Sequence, residues 1–596
     1  MINITKDNSQ LETMGHFLKK ETLKQNPQTD SYSTINIPLY QRDYSWNSES
    51  ISNFLEMFDK ILDSKFSSKA IYFGNIFYYF DSKNSKTIDI VDGQQRITTI
   101  HILLFAMRNI IKSNNWNIED DRFEKINKEI NYMLFTGNDK FRIYHSNKRE
   151  RRSFTEMVEY SEKECNAKNI LKNQNIFLKN YGFIHQWLVN KEETKEISEV
   201  KQKIIDILAI LDKYINIGLF CLDNIDEAIT TFSTINSTGQ NLTILDLLKS
   251  EIFSLAKENK KEREFDDEWQ IFLSVLNCEG SIYKNDYDKF LQHFLFSRYK
   301  HTKKTELKDS KNEWMKNKKD SIEIVKDMTK YMNSFLDLFK NHDILSSEIK
   351  LLRFYQHIPI AINIYENFRN DNPHLIIQKI HELLISIVVI NNEQANFFES
   401  IMVDLSKETK EAKEISKVKQ KINGYIANAL GDYERKVFID RLIDINFKKT
   451  DYIKFFFSKT SLKNEKKINW KTSTLEHICP IISKKWEKDC SEDNFKNMIY
   501  KIGNATILES KLNTAISNEK FSKKKEMILE VINYDGKSNS IIKGKKTNNI
   551  YHKIIEEEFF KEESFLNQDN WTEKNVKNRT KIICDCLFEY DFMKEI

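Results

Sequence analysis

Glycine and proline are scarce, 13 and 5 among 596 residues. So little turn chemistry excludes a collagen-like or Pro/Gly-rich disordered chain and argues against a turn-dense all-β protein. The 7 cysteines stand at positions 165, 221, 278, 479, 490, 584 and 586. Their number is odd and no two form a CxxC pair, so neither a disulfide framework nor a paired-thiolate zinc site is indicated. A reducing cytoplasm fits best. Long apolar runs are lacking too. Stretches such as Leu383 to Ile390 fall far short of the ~20 residues that cross a bilayer, and the opening MINITKDNSQ has no signal-peptide core. No membrane partner is expected. Nor does one sign of charge dominate, with 92 Lys and Arg against 88 Asp and Glu, a net +4. What is plentiful is aromatic: 40 Phe and 24 Tyr are too many for a chain that stays unfolded. The length is ample for several cores, about three or four domains at ~100–200 residues each.

Local charge is less even. Residues 451–550 hold 20 lysines against 12 acids, a surplus that could neutralise phosphates or simply form a solvated face. Residues 30–100 contain β-like runs at Ile71–Phe73, Ile76–Phe80 and Ile88–Val91, separated by polar turns. Helical spacing begins at Arg96 and continues to Ile111, and recurs through Ile204, Ile207, Leu208 and Leu211. Residues 250–440 read as an amphipathic helical layer with only Pro359 and Pro373 as prolines. Short β-like runs return at Leu475–Ile478 and Ala505–Leu508, and the last ~70 residues read as helical. The expected fold class is α+β and predominantly helical: a head at 1–255, a helical connecting region at 256–440 and a small tail at 441–596.

Three head segments carry residues that local structure does not require. In Ile37-Pro38-Leu39-Tyr40-Gln41-Arg42-Asp43-Tyr44-Ser45-Trp46, Pro38 biases Ile37 toward extended backbone. Arg42 is then offered beside aromatic surfaces, where a guanidinium stacks or grips phosphate. In Ile90-Val91-Asp92-Gly93-Gln94-Gln95-Arg96-Ile97-Thr98-Thr99 a strand ends at Asp92-Gly93 and a helix begins. Such a turn presents unpaired N–H groups to an anion, Gly93 allows close approach, and Arg96 adds charge. This suits phosphate, although the segment is neither a Walker A loop nor a dinucleotide fingerprint. The third segment, Thr231 to Leu242 leading into Asp246-Leu247-Leu248-Lys249, is turn chemistry followed by a Thr243 helix cap.

The tail reads Thr474-Leu475-Glu476-His477-Ile478-Cys479-Pro480, then Ile502-Gly503-Asn504-Ala505-Thr506-Ile507-Leu508, then Leu512-Asn513. This spacing matches a ββα-metal site. Neutral His477 can take a proton from water near pH 7. Glu476 and Asn513 supply hard oxygen ligands for Mg²⁺ or Mn²⁺, and Asn504 either holds the loop or orients the imidazole. Taken without the Gly-Asn and Leu-Asn elements, His477 would read as a core histidine.

Together these motifs resemble the GmrSD-type (type IV) restriction endonucleases. IPLYQRDYSW and VDGQQRITT resemble the DGQQR domain, a ParB/sulfiredoxin-like module; Thr238 departs from the basic residue common at its place. The tail resembles an HNH (His-Me finger) nuclease domain, including Phe521 with Lys524 and Trp571 with Arg579; Ile481, Ala505 and Ile507 depart at packing or rim positions. The similarity spans about 30–255 and 440–590. It implies a head that binds and hydrolyses a nucleoside triphosphate (GTP, UTP, ATP or CTP), with Tyr40, Gln41, Arg42 and Trp46 lining the pocket. Asp92, Gly93, Gln94, Gln95, Arg96 and Thr98 would complete that nucleotide site. It further implies one-metal cleavage or nicking of modified double-stranded phage DNA in antiviral defence, and is compatible with a homodimer. The alternative is a nucleotide-regulated DNA-binding sensor without an active nuclease.

Overall fold

β-branched and aromatic residues concentrate in the runs that form the first sheet. Its strands are β1 (Ser9–Thr13), β2 (Thr34–Ile37), β3 (Ile71–Phe80), β4 (Thr87–Asp92), β5 (Ile143–His145) and β6 (Ile215–Leu222), in the order β1-β6-β3-β4-β2-β5. β2 runs parallel to β4 and β5, and β6 parallel to β3; the β3–β4 and β1–β6 pairs are antiparallel. The computed structural model describes residues 9–19, 34–67, 69–80, 86–136, 140–163, 174–189, 197–223, 243–316, 318–392, 395–411, 414–430, 435–447, 449–461, 468, 472–481, 498–533, 540–542, 545–547, 560–589 and 591–596. Its chain divides into two compact units, Met1–Ile271 with Lys316–Lys326, and Phe272–Met315 with Asp327–Ile596.

In the first unit, the two runs expected at Ile71–Phe73 and Ile76–Phe80 are one strand. Its register shifts between Tyr72 and Asn75, where Gly74 takes φ +101°. β6 escaped the sequence reading because most of its residues are buried, which erases the alternation that marks a half-exposed strand. The helix Gln94–Ser113 buries 17 of its 20 residues, so it is the centre of the unit and not an amphipathic cover. Ile97, Ile100, Leu103, Leu104 and Met107 pack there with Phe58, Phe154 and Tyr181 in one core.

The second unit is a helical assembly whose core runs from Phe296 through the helix Pro373–Ile385 to Phe592 and Met593 near the chain end. The stretch Pro373–Ile390 is long and apolar enough to cross a membrane, with mean hydropathy 1.5. Within the unit 72% of it is buried, and that burial accounts for its composition. Beside it lies a buried charged network. His381 Nδ1 is 2.6 Å from Glu348 Oε2 and its Nε2 is 2.8 Å from His357 Nε2. Lys459 Nζ sits 2.7 Å from Glu348 and 3.1 Å from Glu382, while Lys379 pairs with Glu382 at 2.9 Å. Glu382 also accepts from the Met593 N–H at 2.9 Å, which ties down the end of the chain. Buried charges persist only when paired in this way.

The tail of this unit pairs β7 (Ser473–His477) antiparallel with β8 (Ala505–Glu509), followed by helices Ser510–Ile516 and Phe521–Asn533. A small antiparallel hairpin, β9 (Ser540–Ile542) with β10 (Lys545–Thr547), interrupts the helical reading of the last residues. The helix Glu573–Glu589 then closes the domain.

Several histidines are buried neutral, among them His101, His145 and His293. Burial holds His101 down to about 4, and His145 and His293 to about 3, all from an ordinary 6.5. The folded chain therefore refuses protons that the unfolded chain accepts as pH falls from 6.5 toward these values. Stability is full above the unfolded pKa and declines across that window, by up to ~1.4 kcal/mol per group per pH unit. Urea unfolding should accordingly show lower stability at about pH 5 than at about pH 7.5. Midpoints that do not move between the two would contradict neutral burial.

Candidate functional site

The first site forms where the parallel strands β2 and β4 end. Gly93, at φ +101°, is the N-cap of the helix Gln94–Ser113, and a Cβ there would meet Ile76 Cγ1 at 3.0 Å. Only glycine turns the chain so tightly under β3. The helix thereby starts with its N–H groups at the strand ends, as an anion site requires.

The motif side chains fasten this turn to the loop after β2. Gln94 Nε2 donates to the Arg42 carbonyl at 3.1 Å. Gln95 Nε2 donates to the Asp43 carbonyl at 3.1 Å, and its Oε1 accepts from the Ser45 N–H at 2.9 Å. Gln41 Nε2 reaches back to the carbonyls of Ile90 and Val91 at 3.2 and 2.7 Å. Arg96 donates to the carbonyls of Phe73 and Asn75 at 3.0 and 2.6 Å and to Asp92 Oδ2 at 3.0 Å. Its guanidinium occupies the space where a Cβ on Gly74 would lie, which explains the glycine and the bulge. Tyr40 is fully buried with its ring 5.6 Å from Phe253, and Thr98 is buried in the helix. Burial raises the Tyr40 phenol far above its usual pKa. Arg42, Trp46 and Asp92 remain half-buried at the rim.

Residues beyond those expected to line the nucleotide pocket complete the cluster. Lys249, buried on the helix Ile244–Glu258, donates to the Gln41 carbonyl at 2.8 Å and so links the third segment's helix to the first loop. Thr243 caps that helix in a reciprocal box with Asp246. Glu150 accepts from the Tyr44 N–H at 2.8 Å, and burial with the nearby Asp43 carboxylate raises its carboxyl above the usual range. Asn180 donates to the Tyr44 hydroxyl and to the Trp46 carbonyl at 3.1 and 2.8 Å. Residues Thr231 to Leu242, Thr238 included, lie outside the described residues.

The second site lies on β7 and β8. In the antiparallel register Glu476 faces Thr506 and His477 faces Ala505. His477 is buried with its ring edge-on to Tyr500, and its Nε2 has no hydrogen-bond partner among the described residues. Burial, with the Lys524 ammonium nearby, lowers its pKa to about 4, so the imidazole is neutral at pH 7. Lys524 pairs with the Glu476 carboxylate and donates to the His477 carbonyl at 2.7 Å. Burial still raises the Glu476 carboxyl above its ordinary value. Asn513, on the first helix after β8, donates its amide N–H to Thr474 Oγ1 at 2.8 Å and to the Leu475 carbonyl at 3.4 Å. No described residue donates to its amide oxygen.

Asn504 is wholly buried and holds the loop after β7. Its Oδ1 accepts from the Cys479 N–H and from Trp571 Nε1, both at 2.9 Å, and its Nδ2 donates to the Cys479 and Ile499 carbonyls. Arg579 donates to the carbonyls of Gly503 and Ala505, each at 3.0 Å, beneath the Phe560 ring. A Cβ on Gly503 would fall 2.0 Å from the Val576 carbonyl, so the closing helix can approach only a glycine. Phe521 stacks on Trp571 at 5.7 Å. Ala505 and Ile507 are buried packing positions, and Ile481 is exposed at the rim.

The oxygen donors here are of the kind a hard divalent ion takes: the Glu476 carboxylate, which is paired with Lys524, and the Asn513 amide oxygen. Among the described residues no group of three or more His, Cys, Asp or Glu side chains could hold a metal ion.

Two family models match the chain. One, described as the GmrSD restriction endonuclease N-terminal domain, covers residues 20–253; the other, the GmrSD restriction endonucleases C-terminal domain, covers 432–585. No curated protein matches it.

Arg96 offers a direct test of how the first site is held. Arg96→Ala removes the donors of two carbonyls and one carboxylate, each worth about 1–3 kcal/mol when left unpaired. The variant should melt several degrees lower, and Arg96→Lys should restore little because an ammonium lacks the planar fork. An unchanged melting curve would mean that the guanidinium does not hold the bulge.

Proposed function

The chain belongs to the GmrSD-type restriction endonuclease family and acts on DNA as an endonuclease; from that premise we propose that it is an NTP-dependent enzyme that senses modified foreign DNA in antiviral defence. The observation that supports the nuclease assignment is the match of residues 432–585 to the family's C-terminal domain, within which neutral His477 and Glu476 stand together at the end of β7.

A bound Mg²⁺ or Mn²⁺ would steady the charge that builds on the phosphate and on the departing oxygen. Glu476 and Asn513 would hold that ion. His477 takes the proton of the attacking water at its free nitrogen, and Lys524 fixes the strand end through the His477 carbonyl. Asn504, Trp571 and Arg579 tie Cys479, Ile499, Gly503 and Ala505 together behind the strand end, as a positioned base requires. In the head, the nucleotide's phosphates would meet the N-terminus of the helix Gln94–Ser113 with Arg42, while Trp46 offers a ring face at the rim. Tyr40, Gln41, Gln94, Gln95 and Thr98 then act as the wall and fastening of that pocket. Asp92, Gly93 and Arg96 shape its turn.

One observation favours a second reading. The Lys524 ammonium already neutralises Glu476, as it would in a nucleotide-regulated DNA-binding sensor whose nuclease is silent. Metal-dependent plasmid nicking distinguishes the two. His477→Ala should lower the nicking rate by ~10²–10⁴-fold with little change in melting temperature. Glu476→Ala and Asn513→Ala should raise the metal concentration needed, and excess metal should partly rescue them but not His477→Ala. Nicking at the wild-type rate by folded His477→Ala protein would remove the nuclease assignment from this motif.

A further inference from the structure

Within the helical layer of the second unit lies a cavity of about 520 Å³, lined from the helix Tyr287–Arg298, the segment 301–304, the loop 353–356 and Glu399. It is separate from both motif sites. Its volume falls within the ~300–1,000 Å³ of ligand pockets. Three of its walls are aromatic: Phe296, Phe354 and Tyr355. Gln356 presents a buried Oε1 with no partner among the described residues. His293 is held neutral by burial, with Nδ1 spent on the Tyr283 hydroxyl at 3.0 Å.

Charge at the cavity is largely paired: Lys289 and Lys304 with Asp286 and Asp288 at 3.1 and 3.5 Å, His301 with Glu399 at 2.8 Å, and Arg353 with Asp451, which lies outside the lining, at 3.1 Å. A triphosphate would meet these carboxylates at a cost, whereas a neutral ring with hydrogen-bonding edges would not. The floor is also rigid. Gln356 precedes His357, which the charged network anchors through His381, and Arg353 takes φ +56° at the turn into the loop.

From ring faces, uncharged hydrogen-bonding groups and largely paired charge, we infer that this cavity receives one nucleobase swung out of the DNA duplex and reads its substituent. The inference rests on the reading of the chain as an endonuclease that senses modified bases. An enzyme that must inspect a base edge hidden in the stack gains access by extruding that base. Phe354 and Tyr355 then supply stacking, which is tolerant of base identity. Gln356 and His293 supply the polar contacts that discriminate. Lys289, already 5.3 Å from the Tyr355 ring, lies where a flanking phosphate would pass.

The test uses the intact chain and three short duplexes carrying cytosine, hydroxymethylcytosine or its glucosylated form beside a 2-aminopurine, whose fluorescence rises when its neighbour leaves the stack. Wild-type protein should raise the signal on at least one decorated duplex above that on plain DNA. Phe354→Ala should lower affinity for that duplex by about 5- to 100-fold, the worth of one base–aromatic stack. Gln356→Leu, which keeps the volume, should reduce the preference for decorated over plain DNA. Both variants should keep the wild-type melting temperature and DNA-free nucleotide turnover. No fluorescence rise with wild type on any duplex, or unchanged affinity and preference in both variants, would overturn the inference. So would a fluorescent nucleoside triphosphate that binds wild type and is lost in Phe354→Ala. A fluorescence rise without any cleavage would leave the cavity assignment standing and defeat the nuclease reading instead.

Discussion

A backbone carbonyl buried in a loop must find a donor, and this chain meets that constraint with long side chains where other proteins use glycine and proline turns. Gln41, Gln94, Gln95, Lys249 and Asn180 all donate to carbonyls around the first site. Arg96 does the same for β3. At the second site the donors are Asn504, Lys524 and Arg579. Most of these bonds join segments far apart in sequence and so hold the described parts of both sites in place. Fastening of that kind is what allows groups to be held ready for a ligand or a reacting phosphate.

Burial shapes the charge of the same groups. His477 is neutral because it lies in a low-dielectric strand end beside an ammonium, which favours the uncharged imidazole on both counts. Lys524 thus acts twice, pairing with Glu476 and keeping His477 free of a proton. In the helical layer the balance runs the other way. Glu348 keeps its charge deep in the core because Lys459 is buried beside it, and Glu382 pairs there with Lys459 and Lys379. That network also holds the loop 353–357 and the last residues of the chain, so the cavity beside it has a fixed floor.

Much of the architecture is legible from the sequence, for local reasons. Pro38 ends β2, the run Ile88–Val91 is a strand, and Asp92–Gly93 turns it into a helix, since these depend on propensity and on glycine's access to positive φ. The pair β7–β8 reads equally well. β6 does not, because burial of most of its length removes the alternation. The β9–β10 hairpin is missed because its strands are three residues long and have too few apolar positions to set a period.

For the sites, the sequence by itself determined which residue types gather: the DGQQR turn, the Glu-His strand end, and the Gly-Asn and Leu-Asn elements that follow. Only the tertiary structure decided what most of them touch. Gln94, Gln95 and Arg96 read as phosphate donors in isolation, yet their hydrogens are aimed at carbonyls 23 to 52 residues away, in the loop after β2 and in β3. Likewise, whether Asn504 orients a histidine or holds a loop depends on the distant Trp571. Glu150, Asn180 and the cavity at Gln356 carry no local signature at all. The physical reason is that hydrogen bonds and burial are set by neighbours in space, and a linear pattern records only neighbours in sequence.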